Sequence, residues 1–320
     1  GEPGGFVGDP DVMDTWATSS LSPQIAGGWE DDHDLFVRLF PYDLRPQAHE
    51  IIRTWLFATG VRAHHEDDVL PWTNAQISGW VLDPDRKKMS KSKGNVVTPF
   101  EHLDAHGSDA VRYWAASART GTDTTFDVNQ IKVGRRLATK LLNASKFALG
   151  MPSASDGEVT ESIDKALLTL LAGVVEEATA AYQAYEPSRA LERTEAFFWT
   201  FCDDYIELVK ARAYGEGAAA DSARRTLRIA LSTLLRLFAP VLAFASEEVW
   251  SWWQEGSVHR AQWPTADGLK LGGDPAVLAV AGEVLAQIRK AKSNAKVTMK
   301  TPVTSLVVTD SAARLALLRL

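Results

Sequence analysis

From Asp127 to the far end of the chain, apolar residues recur at the three-to-four spacing that lines one face of an α-helix. Asp127 precedes the first such run, where its side chain can accept a backbone N–H, and the pattern predicts a helix over 127–149. Gly150 and Pro152 then end it, glycine because it tolerates the left-handed conformation of a helix stop. A second helix is predicted over 163–185, stopping at Pro187, and a third over 188–214. Phe197, Phe198, Phe201, Tyr205, Leu208 and Val209 make one stripe of the third, which reads as core. A fourth helix covers 219–238, and Pro240 opens or kinks a fifth that ends near residue 254. Short helices and an apolar strand at 303–308 complete the pattern, which predicts an up-and-down helical bundle.

Residues before about 125 behave differently, with short apolar runs broken by Pro, Gly and Asp. Residues 77–82 read as a strand, and Asp83, Pro84 and Asp85 supply turn chemistry after it. Thr98 is a candidate N-cap with Pro99 at the first helical position, and Ser108 is a candidate cap for a helix over 109–116. The fold class expected is therefore an α/β segment followed by an all-α bundle.

Composition narrows the function classes. At 320 residues and 45% hydrophobic content the chain can pack two domains, and a net charge of -7 excludes a generally basic nucleic-acid coat. Contact with a nucleic acid is expected only through local patches. The single cysteine, Cys202, cannot form a disulfide framework or a cysteine-based zinc site, which fits a reducing cytoplasm. The most apolar stretches, 166–175 and 234–245, are too short or are interrupted by Arg236 and Pro240, so no membrane span is expected. The opening Gly-Glu-Pro-Gly-Gly reads as a cut within a longer protein.

Residues 85–95 concentrate Arg86, Lys87, Lys88, Lys91 and Lys93 with Ser90, Ser92 and Gly94 in one loop after the strand. By charge alone this is a solvated basic turn or a patch that attracts nucleic acid. Residues 88–92, however, spell KMSKS, the signature of the class I aminoacyl-tRNA synthetases. Residues 11–21 (DVMDTWATSSL) and 49–57 (HEIIRTWLF) resemble motifs of the valyl branch of that family. So do 201–210 (FCDDYIELVK) and 240–250 (PVLAFASEEVW), with SVHR at 257–260 and Trp263-Pro264 after them. The resemblance runs over nearly the whole chain. Departures stand at Ala17, where the family commonly has Phe, at Glu50, where it commonly has Asp, and at Arg53 and Thr54, which replace an aromatic pair.

The resemblance implies four regions: the end of a Rossmann-type catalytic domain (1–75), the KMSKS loop and stem-contact region (76–126), an anticodon-binding bundle (127–265) and a helical and strand extension (266–320). It implies activation of valine by ATP, in which negative charge builds on the departing pyrophosphate and must meet a cation. Lys88 and Lys91 suit that task, with Ser90, Ser92 and backbone N–H groups near Gly94 as further donors, and Met89 beside the nucleotide. Lys87 and Lys93 read as solvated. By the same resemblance Trp16 and Trp55 wall the valine side chain and Glu50 meets the ribose hydroxyls. Taken by itself, Glu50 would be a surface residue pairing with Arg53.

For RNA, Lys132, Arg136, Lys140 and Asn143 fall on one helix face, with Arg135 and Lys146 on the adjoining one. As composition this is a solvated face; the resemblance of 140–146 to the family's helix implies a tRNA contact instead. The implied partners are tRNA(Val), valine and ATP, with Mg2+ accompanying the nucleotide, no metal site in the chain, and a monomer. His102, His106 and His259 read as structural. The family's His-x-Gly-His phosphate-binding pair does not occur in these residues, and the editing domain would precede Gly1, so the chain alone is not expected to adenylate valine. An isoleucyl-type synthetase, a noncatalytic tRNA-binding module derived from a synthetase, and a generic helical interaction domain remain as rival readings.

Overall fold

The computed structural model describes residues 4–5, 15–152 and 158–318, with backbone alone at Thr15 and Trp16. Its elements fall into two compact units, residues 1–97 with 118–126, and residues 98–117 with 127–320.

The first unit is built on a strand-helix-strand crossover. Short helices α1 (Thr15–Ser19), α2 (Ser22–Ala26) and α3 (His33–Leu39) lead into strand β1 (Tyr42–Ala48). A single tight turn, His49–Ile51, and one widened turn, Ile52–Leu56, then open helix α4 (Phe57–Asp67). The chain returns as β2 (Trp72–Ser78), parallel to β1 with Tyr42 opposite Trp72 and Ala48 opposite Ser78. Parallel strands need such a crossover, and their carboxyl ends then lie at one edge.

The strand expected at 77–82 is divided. After Ser78 the chain leaves β2 and forms β3 (Val81–Leu82), which pairs in parallel with β4 (Thr124–Thr125), once α5 (Phe100–His106) and α6 (Ser108–Ala116) have intervened in sequence. Gly79 makes the transfer sterically feasible: a Cβ there would lie 2.4 Å from the Thr122 carbonyl carbon and 2.5 Å from the Asp123 nitrogen.

The second unit is the bundle. It comprises α5, α6, α7 (Val128–Leu149), α8 (Ser162–Gln183), α9 (Pro187–Trp199), α10 (Ile206–Tyr214), α11 (Ala218–Phe238), α12 (Ala243–Ser251), α13 (Pro275–Asn294) and α14 (Ala312–Ala316). The Asp127 carboxylate accepts the Asn129 backbone N–H at 2.8 Å, so the expected cap opens α7. Helices α5 and α6 begin one residue away from the expected positions: Pro99 and Gly107 hold the N-cap places, and Ser108 is already helical. The predicted third helix is α9 and α10 joined through one widened turn, Thr200–Tyr205, which keeps Phe201, Cys202 and Tyr205 inward. Phe198 meets Phe238 edge-on at 5.4 Å and Phe201 stacks on Tyr205 at 6.1 Å, so the aromatic stripe is core.

A buried polar cluster pins α8 to α10 and α11. Asp164 is fully buried; its carboxylate accepts the Tyr205 hydroxyl at 2.7 Å, Arg212 Nη2 at 2.6 Å and Nη1 at 2.9 Å, and the Ser222 hydroxyl at 2.6 Å. Burial, the adjacent charge of Asp164 and the hydrogen bond to it push the Tyr205 phenol well above its ordinary range. Where Gly134 of α7 passes α6, an added Cβ would sit 2.7 Å from the Tyr113 side chain.

Two expectations near the C-terminus are corrected. Residues 275–294 form one long helix, and 303–308 form no strand. Among the described residues nothing pairs with that segment; it runs beside Val284, Ile288 and Ala291 of α13, with Val307 85% exposed. No helix among the described residues is long and apolar enough to cross a membrane.

Candidate functional site

The carboxyl-terminal edge of the β1 and β2 pair brings together two of the first unit's candidate residues, Glu50 and Lys88. Glu50 follows β1 by two residues and Trp80 follows β2 by two, so the parallel register brings them together. The Trp80 indole N–H donates to Glu50 Oε2 at 2.6 Å, and Lys88 Nζ donates to the same oxygen at 2.7 Å. Lys88 Nζ also lies 4.3 Å from the Trp80 ring centroid, a cation over an aromatic face. These donors, the Lys88 hydrogen bond first and then that of Trp80, hold the Glu50 carboxyl below the usual carboxylate range. The partner of Glu50 is thus Lys88 of the loop, and the pairing with Arg53 suggested by sequence neighbourhood is not formed. The ring of His49 lies 4.9 Å from that of Trp80.

The basic loop is a tied hairpin. Residue Leu82 bridges Lys88 in antiparallel fashion, and the Asp83 N–H donates to the Lys87 carbonyl at 2.9 Å. Buried Asp83 accepts the Lys87 backbone N–H at 2.7 Å and the Asn95 amide at 2.7 Å, which lowers its pKa. Asn95 in turn accepts the Ser90 N–H at 2.9 Å and donates to the Lys88 carbonyl at 3.2 Å. Two side chains at the ends of the loop therefore fix its base. Within it, Ser90 and Ser92 hydroxyls are 2.7 Å apart, Lys91–Lys93 make a tight turn, and Gly94 ends that turn at φ +67° in open space. Lys91 and Lys93 are exposed. Asp83 stood in the sequence as turn chemistry and Asn95 carried no reading; their shared hydrogen bond across the loop had no local signal. Asp123, whose carboxylate takes the Trp80 backbone N–H at 2.8 Å, had none either.

Trp55 opens towards a cavity of about 250 Å³ lined by Ser22, Pro23, Tyr42, Arg45, Trp55 and Trp72 among others. Its indole N–H donates to the Ser19 carbonyl at 2.7 Å, tying α1 to the base of α4. Arg62 strengthens that tie, donating to the Ala17 carbonyl at 2.8 Å. The guanidinium of Arg45 lies 3.3 Å from the Trp55 ring centroid, so one indole face is already covered. Trp16 belongs to α1 by backbone, and its side chain lies outside the described residues.

In the bundle the residues expected to meet RNA divide. Lys132, Arg135, Arg136, Asn143 and Lys146 are exposed along α7, whereas Lys140 donates to Asp203 at 2.9 Å and lies 5.7 Å from the Trp199 ring centroid. Arg135 borders a cavity of about 510 Å³ with His106, Asp109, Phe244, Glu247 and Glu248. His102 and His106 stack at 6.2 Å, one turn apart. Beneath that cavity Asp109 accepts the Phe244 and Ala245 N–H groups at 3.1 and 2.7 Å, and Arg112 donates to the Pro240 carbonyl at 2.5 Å, fixing α6 to the start of α12. Among the described residues there is no grouping of three or more His, Cys, Asp or Glu able to hold a metal ion.

A nucleotide-type crossover carrying a KMSKS hairpin, joined in sequence to an all-α bundle, is the arrangement of one protein class. Residues 2–127 match the family "tRNA synthetases class I (I, L, M and V)", and residues 164–308 match "Anticodon-binding domain of tRNA ligase". The chain belongs to the class I tRNA synthetases. Within that class it is similar to valine--tRNA ligases. That of Thermobifida fusca (strain YX) is 63% identical over 316 residues, covering 96% of this chain and 36% of its own length. That of Salinispora tropica is 57% identical over 340 residues, covering 98% and 39%. The chain thus spans well under half the length of the curated relatives it matches. A LeuRS from Agrobacterium radiobacter K84, solved as a ternary complex with tRNA and LeuAMS, superposes with a TM-score of 0.67 at 20% identity, over 82% of this chain and 34% of that one, and so shares the fold.

Proposed function

We propose that these residues serve ATP-dependent charging of a valine tRNA, with the first unit acting on the nucleotide and the bundle on the RNA. The observation that carries this reading is the convergence of Glu50 and Lys88 at the carboxyl edge of a parallel strand pair, where ligands of such sheets bind. In activation, a valine carboxylate oxygen attacks the α-phosphorus of ATP. A P–O bond forms, the bond from that phosphorus to the α,β-bridging oxygen breaks, and pyrophosphate leaves with the electron pair. The ammonium groups of Lys88 and Lys91 offset the charge that develops on it, and Ser90 and Ser92 add hydroxyl donors. Met89 lies in the same loop beside the nucleotide. Glu50 accepts from the ribose hydroxyls, and Trp16 and Trp55 bound the valine side chain. The terminal adenosine hydroxyl of the tRNA then attacks the activated carbonyl and AMP departs.

Magnesium enters with the ATP as part of the substrate, bound chiefly to phosphate oxygens. The exposed cations of α7, Lys132, Arg135, Arg136 and Lys146 with Asn143, meet tRNA phosphates and sugars, while Lys140 is half-committed to Asp203. A cytoplasmic setting follows from the role. We assign 76–126 to the loop and stem-contact region on the same reading.

Two measurements test it. The chain is titrated with a valine tRNA and with the same tRNA carrying altered anticodon bases, at one salt concentration, because phosphate contacts make every RNA affinity salt-dependent. Tighter binding to the unaltered tRNA supports the assignment, and equal binding counts against an anticodon reader. Valine-dependent exchange of pyrophosphate into ATP by the full-length protein tests the chemistry; exchange driven by isoleucine instead would reassign the substrate.

A further inference from the structure

We infer that Trp80 is the positioning residue of the nucleotide site, aiming Glu50 with its indole N–H and carrying the Lys88 ammonium on its ring face. The inference rests on the adenylation reading above and adds to it a residue outside the KMSKS run and outside the ribose and valine motifs.

The geometry is specific. Both donors to Glu50, Trp80 Nε1 at 2.6 Å and Lys88 Nζ at 2.7 Å, converge on Oε2. Oε1 takes no hydrogen bond among the described residues, so an oriented acceptor is left for a ribose hydroxyl. An exposed ion pair alone would not fix a carboxylate: Lys88 and Glu50 are 52% and 41% exposed, and such pairs fluctuate in water. The indole is the rigid member. Its own backbone is clamped by the Asp123 carboxylate at 2.8 Å and by the Thr124 N–H, which donates to the Trp80 carbonyl at 2.8 Å. Gly79 lets that clamp close. An ammonium 4.3 Å from the ring centroid retains a favourable aromatic surface whether it pairs with Glu50 or swings towards a phosphate. Trp80 thus serves two groups that act at opposite ends of one nucleotide, the ribose and the pyrophosphate.

Replacement separates the two roles. W80F keeps an aromatic face and removes the donor; W80L removes both. In the full-length protein, pyrophosphate exchange should show the KM for ATP raised about tenfold in W80F with kcat within about twofold, as expected for a lost hydrogen bond to a charged group. Its preference for ATP over the 2′-deoxy and 3′-deoxy analogues should shrink by a similar factor. W80L should add a fall in kcat of about five- to tenfold. In an E50Q background W80F should have little further effect on KM, which general loss of structure cannot mimic. Circular dichroism melts accompany each variant, and titration of the Glu50 carboxyl by NMR in the 320-residue chain gives a second readout: W80F should move it upward.

Unchanged ATP KM and unchanged deoxy-analogue preference in W80F, in a wild type that exchanges normally, would overturn the aiming role. Equal kcat for W80F and W80L would overturn the role of the ring face. A full-length wild type without exchange would overturn the adenylation reading itself, and this inference with it.

Discussion

Adding one methyl group at Gly79 tests whether the loop chemistry depends on backbone packing outside the loop itself. In Gly79→Ala the new Cβ would lie 2.4 Å from the Thr122 carbonyl carbon and 2.5 Å from both the Thr122 oxygen and the Asp123 nitrogen. Ordinary carbon contacts are about 3.5–4.0 Å, so the crossing segments must separate by roughly 1 Å. The obstacles are all backbone atoms and cannot rotate away. Gly79 does not use a left-handed φ, so the effect reports space alone. Overpacking of this kind costs about 1–3 kcal/mol. Separation also lengthens the hydrogen bond from the Trp80 N–H to Asp123, now 2.8 Å, and carries Trp80 away from Glu50 and Lys88. A misplacement of about 1 Å at a reacting centre can reduce rate by about a hundredfold. The expected result is a pyrophosphate exchange rate lowered by one to two orders of magnitude in the full-length protein, with tRNA binding by the bundle preserved. Urea unfolding should place the first unit's transition lower, and amide exchange should quicken at Trp80 and Thr124. Wild-type exchange with stability altered by less than about 0.5 kcal/mol would refute the argument, since it would mean that the crossing relaxes without moving the loop.

Three further outcomes follow from other parts of the molecule. Asp164→Ala strips the partner from Arg212, Tyr205 and Ser222; with Arg212 partly solvent-accessible, the loss should be near the low end of about 3–5 kcal/mol, read as a lower urea midpoint at unchanged slope, and a loss below about 1 kcal/mol would contradict the pinning role. Glu50 is held below the usual carboxylate range, so its pairing with Lys88 is fully formed above that range and is lost as pH falls through the lowered value; Lys88→Ala should raise the Glu50 NMR titration midpoint, and an unmoved midpoint would show that the pairing is absent in solution. Lys132→Ala with Arg136→Ala should weaken tRNA binding and reduce the slope of log affinity against log salt by about 0.7–0.9 per lost phosphate contact, whereas an unchanged slope would place the RNA elsewhere.

Much of the bundle was legible because its causes are local. The 3.6-residue period, the Asp127 cap and the Pro breaks act within a few residues of themselves, and α7, α8 and α11 lie within about two residues of where those signals put them. The KMSKS run was legible as a motif for the same reason. Where local signals were ambiguous the reading slipped. A hydrophobic run at 303–308 looks like a strand, but a strand requires a partner, and none is supplied among the described residues. A run at 77–82 looked like one strand, yet Gly79 divides it between two pairings.

The amino-acid order by itself determined the class of protein, the approximate bounds of the long helices between residues 127 and 238, and the identity of the cationic loop, since each is encoded in periodicity or in contiguous residues. Tertiary structure alone decided which charges meet. Glu50 pairs with Lys88, 38 positions away, and not with Arg53, its helical neighbour; Lys140 is half-neutralised by Asp203, 63 positions away; Trp80 joins a carboxylate and an ammonium that no spacing connects. The reason is physical. Helix and turn signals are short-range properties of the backbone, whereas electrostatic pairing depends on distance in space, which exists only after the parallel crossover and the bundle have brought remote segments together.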